Sequence, residues 1–161
     1  MSDQEVLPEV SHRAQELLAV SGNCAQSSFA ALAEHLDLDS GSTLKALTPF
    51  PGIALRGETC GAVIGSLMSI GMVLGRDQLD DQPGMRRSLA AARRFCRAFE
   101  TQFGGTSCRE VLERELGGDF DLARPEGFAE NVQAGGHQHC ARVVGYSVAT
   151  AAEMIPRAAD G

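Results

Sequence analysis

The sequence predicts an all-α fold: a compact bundle of five or six helices around a glycine-rich, buried central helix. Three observations carry that prediction. Apolar residues recur at three- and four-residue steps in several windows, and no stretch sustains the alternation of a strand. From Thr59 to Gly75 there is no charged side chain, while Gly57, Gly61, Gly65 and Ser69 follow one another at a strict four-residue step. On a helix that step lies on one face, and since glycine lowers helix propensity the stripe implies close approach of another backbone. Aromatics are scarce and Trp is absent, so Ala and Gly fill the apolar positions, as suits closely packed helices.

Taken in order, Glu5 to Val20 reads as a first helix, with Val6, Leu7, Val10, Ala14, Leu17 and Leu18 near helical spacing. Ser21-Gly22-Asn23 breaks it. Asn23 then caps a helix from Cys24 to about Leu36, with Phe29, Leu32, Ala33 and Leu36 inward. Asp37 to Ser42 is a turn, a short helix through Leu47 follows, and Thr48-Pro49-Phe50-Pro51-Gly52 is a firm breaker. Thr59 is placed to cap the central helix, which begins at Cys60 and ends near Gly75. Asp77 to Gly84 is a polar loop. Met85 to Phe103 is a long helix with Leu89, Ala92, Phe95, Cys96, Phe99 and Phe103 near one face, ended by Gly104-Gly105. Ser107 caps a helix through Leu116. Gly117 to Gly136 is loop-like, with a turn of helix around Glu126 to Val132. The last helix runs from Cys140 to about Ile155 and stops at Pro156.

At 161 residues the chain reads as a single domain, 1–161, with an N-terminal helix (1–20) and a core (21–155) that carries four of the cysteines. The formal charge of −7 argues against general nucleic-acid binding, which wants a basic face. The 17-residue apolar run is at the lower limit of a membrane span, but its glycines and its single occurrence favour a core helix. The opening Met1-Ser2-Asp3-Gln4-Glu5 is acidic and polar, unlike a signal peptide, so a cytoplasmic location is expected. Five cysteines in that setting point to reduced thiols, a metal or redox chemistry rather than a structural disulfide set.

Four cysteines share a local context. Gly22-Asn23 precedes Cys24, Gly57-Glu58-Thr59 precedes Cys60, Gly104-Gly105-Thr106-Ser107 precedes Cys108, and Gly135-Gly136-His137-Gln138-His139 precedes Cys140. In each, glycine breaks the chain and the cysteine opens a helix. The unpaired N–H groups and partial positive charge there favour a thiolate. The separations of 36, 48 and 32 residues exclude a local CxxC pair, so a shared site must be assembled by the tertiary fold. Spacing alone leaves this reading open beside another, four unrelated buried cysteines.

The segments Asn23-Cys24-Ala25-Gln26, Arg56-Gly57-Glu58-Thr59-Cys60-Gly61-Ala62-Val63-Ile64-Gly65, Phe103-Gly104-Gly105-Thr106-Ser107-Cys108-Arg109-Glu110-Val111-Leu112 and the Cys140 helix occur in that order. In this the chain resembles the C_GCAxxG_C_C family, whose members are regarded as redox-active. The resemblance implies that Cys24, Cys60, Cys108 and Cys140 are the family's four cysteines. It also implies relation to the cluster-bearing part of split-Soret cytochrome c, where an iron–sulfur site is associated with this kind of domain. The chain has no CxxCH, so covalent haem attachment is not expected.

The leading expectation is therefore a two-iron or four-iron cluster held by Cys24, Cys60, Cys108 and Cys140, serving electron transfer or redox sensing. A thiol–disulfide protein without metal and a structural zinc protein are the alternatives. Whether the protein is an oxidoreductase or an electron carrier stays open. Cys96, flanked by Arg93, Arg94 and Arg97, reads either as a thiol activated by those cations or as a cysteine packed near Phe95 and Phe99. His137 and His139 read as a loop that offers one imidazole to a metal, or as titrating surface residues of a polar loop. His35 reads as a surface residue near a helix end. Glu58 is a proton-carrier candidate beside Cys60, or simply an acid in the first helical turn. Arg86, Arg87, Arg93, Arg94 and Arg97 form a basic patch for an acidic redox partner or an anion, or a solvated face balanced by Asp77, Asp80 and Asp81. The small-residue stripe and this patch are candidate homodimer interfaces. Neither GxGxxG after a strand nor GxxxxGK[ST] is present, and nothing places a hydrolase triad.

Overall fold

The computed structural model describes residues 3–156, with side chains from Leu7 onward. The Met1-Ser2 opening and the Val6 side chain lie outside the described residues. Among the described residues nine helices follow in order: α1 Asp3–Ser21, α2 Cys24–Leu36, α3 Gly41–Ala46, α4 Gly52–Leu55, α5 Gly61–Leu74, α6 Gln82–Phe103, α7 Cys108–Leu116, α8 Pro125–Gln133 and α9 Gly136–Met154. The all-α class holds. Among the described residues the sole β-type contact is an isolated antiparallel bridge, Thr59 with Ser107.

The caps explain most boundaries. Asn23 is extended, and its side-chain oxygen accepts from the Gln26 amide at 2.9 Å. α7 carries a full capping box, with Ser107 and Glu110 each accepting from the other's backbone N–H. α6 starts at Gln82, earlier than the expected Met85, because the Asp81 carboxylate accepts from the Gly84 amide and Pro83 suits a first turn. α9 starts at Gly136 rather than Cys140, since left-handed Gly135 (φ 94°) turns the chain into the helix four residues sooner. Thr59 is not the cap of α5; Cys60 is, and Thr59 is spent in the bridge to Ser107.

Gly52–Leu55 was not foreseen as an element. All four residues have positive φ (53°, 48°, 59° and 60°), so the chain makes one left-handed turn. That hand costs non-glycine residues about 1–2 kcal/mol each. It is closed by Ala54 N–H to Pro49 C=O and Leu55 N–H to Pro51 C=O, both 2.8 Å.

Two helices share the centre. α5 packs on α2, α6 and α9, as its apolar sequence requires, but Met68, Met72 and Val73 remain 38%, 43% and 36% exposed. α9 is the more connected hub, touching α1, α2, α5, α6, α7 and α8. Val143, Val144 and Val148 of α9 meet the Phe95, Phe99 and Phe103 face of α6 in the core. Phe103 stands edge-on to Tyr146 at 5.2 Å. Ser147 donates to the Ala62 carbonyl at 3.0 Å and accepts from Ser66 at 2.9 Å, so the α5–α9 contact leaves no hydroxyl unpaired. Leu89, expected inward, is 46% exposed, because it lies about 120° round the helix from Phe95.

The small-residue stripe is consumed inside the molecule. A Cβ on Gly65 would run into the Ala25 carbonyl oxygen and stand 3.0 Å from the Phe29 nitrogen; one on Gly61 would meet the Cys24 sulfur. These glycines let the α2 and α5 backbones touch, so this part of the stripe is not a surface for a second chain. Gly71, in the same helix, faces nothing within 4 Å.

That contrast gives paired substitutions of opposite sign. Gly71→Ala should stabilise by about 0.5–1 kcal/mol through helix propensity. Gly65→Ala should destabilise by about 1–3 kcal/mol, because the obstacle is backbone. Urea unfolding checks both, and equal signs would show that α2 and α5 are not in backbone contact.

Candidate functional site

Each of the four cysteines stands at or near a helix start. Cys24 and Cys108 are the first residues of α2 and α7, Cys60 is the cap residue of α5, and Cys140 lies in the early part of α9. The segments before α5 and α7 run antiparallel. Cys60 N–H donates to Thr106 C=O at 2.8 Å, Cys108 N–H to Glu58 C=O at 2.6 Å, and Arg109 N–H to Gly57 C=O at 3.2 Å. This ladder joins two cysteines that are 48 positions apart in the chain. Gly61 brings the Cys24 sulfur against the start of α5, and Gly52 leaves room for Cys108, whose sulfur would stand 3.5 Å from a Cβ there.

The electrostatics define the constellation. Cys24 feels Cys60, Cys140 and Cys108; Cys108 feels Cys60 and Cys140; Cys140 feels Cys60. The four thiols thus occupy one neighbourhood. Cys96 stands apart: it is half-buried against the core, and the charge acting on it is Glu100. Its pKa is raised by burial first and by Glu100 second, so its arginine neighbours do not activate it. All five thiols are free.

The expected lowering of thiol pKa at helix starts is overturned. Burial raises every one of the four, and for Cys108 and Cys140 it pushes the value up to about 12. The helix-start effect is present but smaller. The Ala62 and Val63 amides point toward the Cys60 sulfur and pull its pKa down, without closing a capping hydrogen bond. Arg109 pulls Cys108 down in the same way.

The histidines take other roles. His139 is buried, with Nε2 3.2 Å from the Val111 carbonyl oxygen and Nδ1 3.4 Å from an Arg142 nitrogen. These partners fix the neutral tautomer with its proton on Nε2, and burial lowers the pKa. It ties α9 to α7 and is not a surface residue. His137 is exposed and lies edge-on to Phe128 at 6.1 Å. Both sit inside α9, not in a loop. His35 is half-buried near the end of α2. The Glu58 carboxylate turns to the surface, 3.8 Å from Arg56. Beside the site an open cleft of about 430 Å³ is bordered by Arg56, Gly57, Arg109 and Asp119. Arg109 and the Gly52 turn were not singled out from sequence. The signal for Gly52 was its place after Pro-Phe-Pro; for Arg109 it was adjacency to Cys108.

Among the described residues no group of three or more His, Cys, Asp or Glu side chains is arranged to hold a metal ion. In donor chemistry the four thiols are nonetheless the complement that iron–sulfur clusters take, and Gly52 and Gly61 keep their sulfurs unobstructed. The residues fit such a group in kind.

Fold and site together define an all-α protein with a four-cysteine constellation in which Cys60 is buried and Cys24, Cys108 and Cys140 are partly buried. The chain belongs to the C_GCAxxG_C_C family, described as "putative redox-active protein", which it matches over residues 22–154. α1 lies wholly before that region. No curated protein and no solved structure matches the chain. Among the described residues no helix is long and apolar enough to cross a membrane.

The raised thiol pKa values make stability fall in alkali. Unfolded thiols ionise near 9, whereas Cys108 and Cys140 hold their protons to about 12 in the fold. Between those values the unfolded chain binds fewer protons, so stability is full below pH 9 and is lost as pH rises toward 12. Urea midpoints of the metal-free protein should change little between neutral pH and pH 9 and fall above it, and the double variant Cys108→Ala/Cys140→Ala should lessen the fall.

Proposed function

We propose that Cys24, Cys60, Cys108 and Cys140 form a redox centre that holds an iron–sulfur cluster, for electron transfer or redox sensing. The observation that carries this reading is the mutual electrostatic neighbourhood of four sulfurs drawn from three helix starts and the early part of α9. Family membership supports the redox class. When bound, the cluster would supply one-electron chemistry. The chain's own residues do the rest. α2, α5, α7 and α9 position the sulfurs, with Cys60 buried and Cys24, Cys108 and Cys140 partly buried. The Ala62 and Val63 amides stabilise negative sulfur at Cys60, and Arg109 does so at Cys108. Each thiol must release its proton to a base in solution when iron replaces it. A reducing compartment such as the cytoplasm suits five free thiols.

A second reading, reversible disulfide formation, is favoured by the ladder that sets Cys60 and Cys108 on opposed segments. There two thiols lose two protons and two electrons to an external disulfide, forming one S–S bond.

Anaerobic reconstitution separates the two. The wild type should bind iron and acid-labile sulfide and absorb in the visible. Cys→Ser at 24, 60, 108 or 140 should each cut iron content severalfold, and Cys96→Ser should leave it unchanged. Colourless, iron-free protein that reversibly loses two titratable thiols would replace the cluster reading with the disulfide one.

A further inference from the structure

The geometry points to the outer face of α6 as a docking site for an acidic protein surface. Arg86, Arg87, Arg93, Arg94 and Arg97 are all exposed. At 100° per residue they fall within an arc of about 120°, opposite Phe95 and Phe99, along about 16 Å of helix. Among the described residues none of the five enters an ion pair, although six such pairs occur elsewhere. The acidic loop before α6 does not neutralise them: Asp81 is used in capping, and no ion pair joins Asp77 or Asp80 to the stripe. Five unpaired guanidinium groups on one face are unusual for a chain of net charge −7.

Charge complementarity selects an anionic occupant, and the rest of the molecule narrows its kind. A polyanion of uniform high charge would meet repulsion from the surrounding acidic surface, whereas a local cluster of carboxylates matches a stripe of this length. Arginine forks bind carboxylates bidentately. Exposed Leu89 borders the stripe and offers an apolar anchor, while no aromatic ring lies on the face to stack a base. The inference does not depend on what the four thiols do.

A short synthetic peptide with a single cluster of glutamates flanked by uncharged residues is the probe, titrated into the full chain at low salt beside a single-stranded oligonucleotide of equal charge and phosphatidylserine vesicles. The glutamate-cluster peptide should bind, and binding should weaken as salt rises. Arg93→Gln/Arg94→Gln/Arg97→Gln should weaken it about tenfold. Arg86→Gln/Arg87→Gln, at the other end of the stripe, gives an independent loss should the triple variant fold poorly. Arg124→Gln, off this face, should change nothing. Unaltered binding in both stripe variants, an equal loss in Arg124→Gln, or tighter binding of the oligonucleotide or the vesicles would overturn the proposal.

Discussion

The short antiparallel pairing of residues 57–60 with 106–109 is the constraint on which the site depends. Three backbone hydrogen bonds fix the start of α5 against the start of α7. Neither helix could place its cysteine near the other's by its own propensity. Once the two starts are pinned, the remaining thiols arrive by helix packing. Gly61 and Gly65 let α2 lie directly on α5, which delivers Cys24, and α9 delivers Cys140 through contacts with α2, α5 and α7. The site is therefore built from two kinds of close backbone approach, one through hydrogen bonds and one through missing side chains.

The left-handed turn at Gly52–Leu55 belongs to the same construction. A run of three non-glycine residues at positive φ persists only where the surroundings over-determine it. Here the Gly52 carbonyl accepts from both Arg56 N–H at 3.0 Å and Glu58 N–H at 3.1 Å, which ties the turn to the ladder. The absence of a side chain at Gly52 leaves the space beside Cys108 clear. Local strain is offset by the contacts of the loop it shapes, next to one of the four thiols.

Much of this was legible in the chain. Asn23, Ser107 and Gly104 announce their helix ends through chemistry that acts within a few residues. The four-residue glycine step announced backbone contact, though not that α2 would be the neighbour. What stayed hidden depends on distant pairing. Thr59 looks like a cap until the Cys60–Thr106 and Cys108–Glu58 backbone bonds on either side pair its segment with that of Ser107. Cys140 looks like a helix start until Gly135 begins the helix early. His139 looks like a surface residue until Val111 and Arg142 close on its ring. The left-handed turn has no sequence signal beyond one glycine, because Ile53, Ala54 and Leu55 are poor choices for it taken alone. The grouping of the four sulfurs was argued from shared context; their ionisation state was argued from the helix dipole alone, which left burial out.

That omission decides the chemistry of the site. A helix start offers a thiolate about half an elementary charge, spread over amides that solvent also screens. Burial withdraws the solvation of a full charge, and each further thiolate nearby adds repulsion. The second effect is larger, so the four thiols stay protonated in the isolated chain at neutral pH. Among the described residues Arg109 is the one cation acting on them, and it reaches only Cys108. Most of the other described guanidinium groups are exposed, most densely on α6. Four sulfurs in such a pocket can lose their protons together only if positive charge enters with the change or if sulfur–sulfur bonds remove the charge altogether. A burial that disfavours bare thiolates therefore favours the neutral four-thiol state, and metal ligation or disulfide formation would be the two ways for the site to lose those protons without leaving bare thiolates.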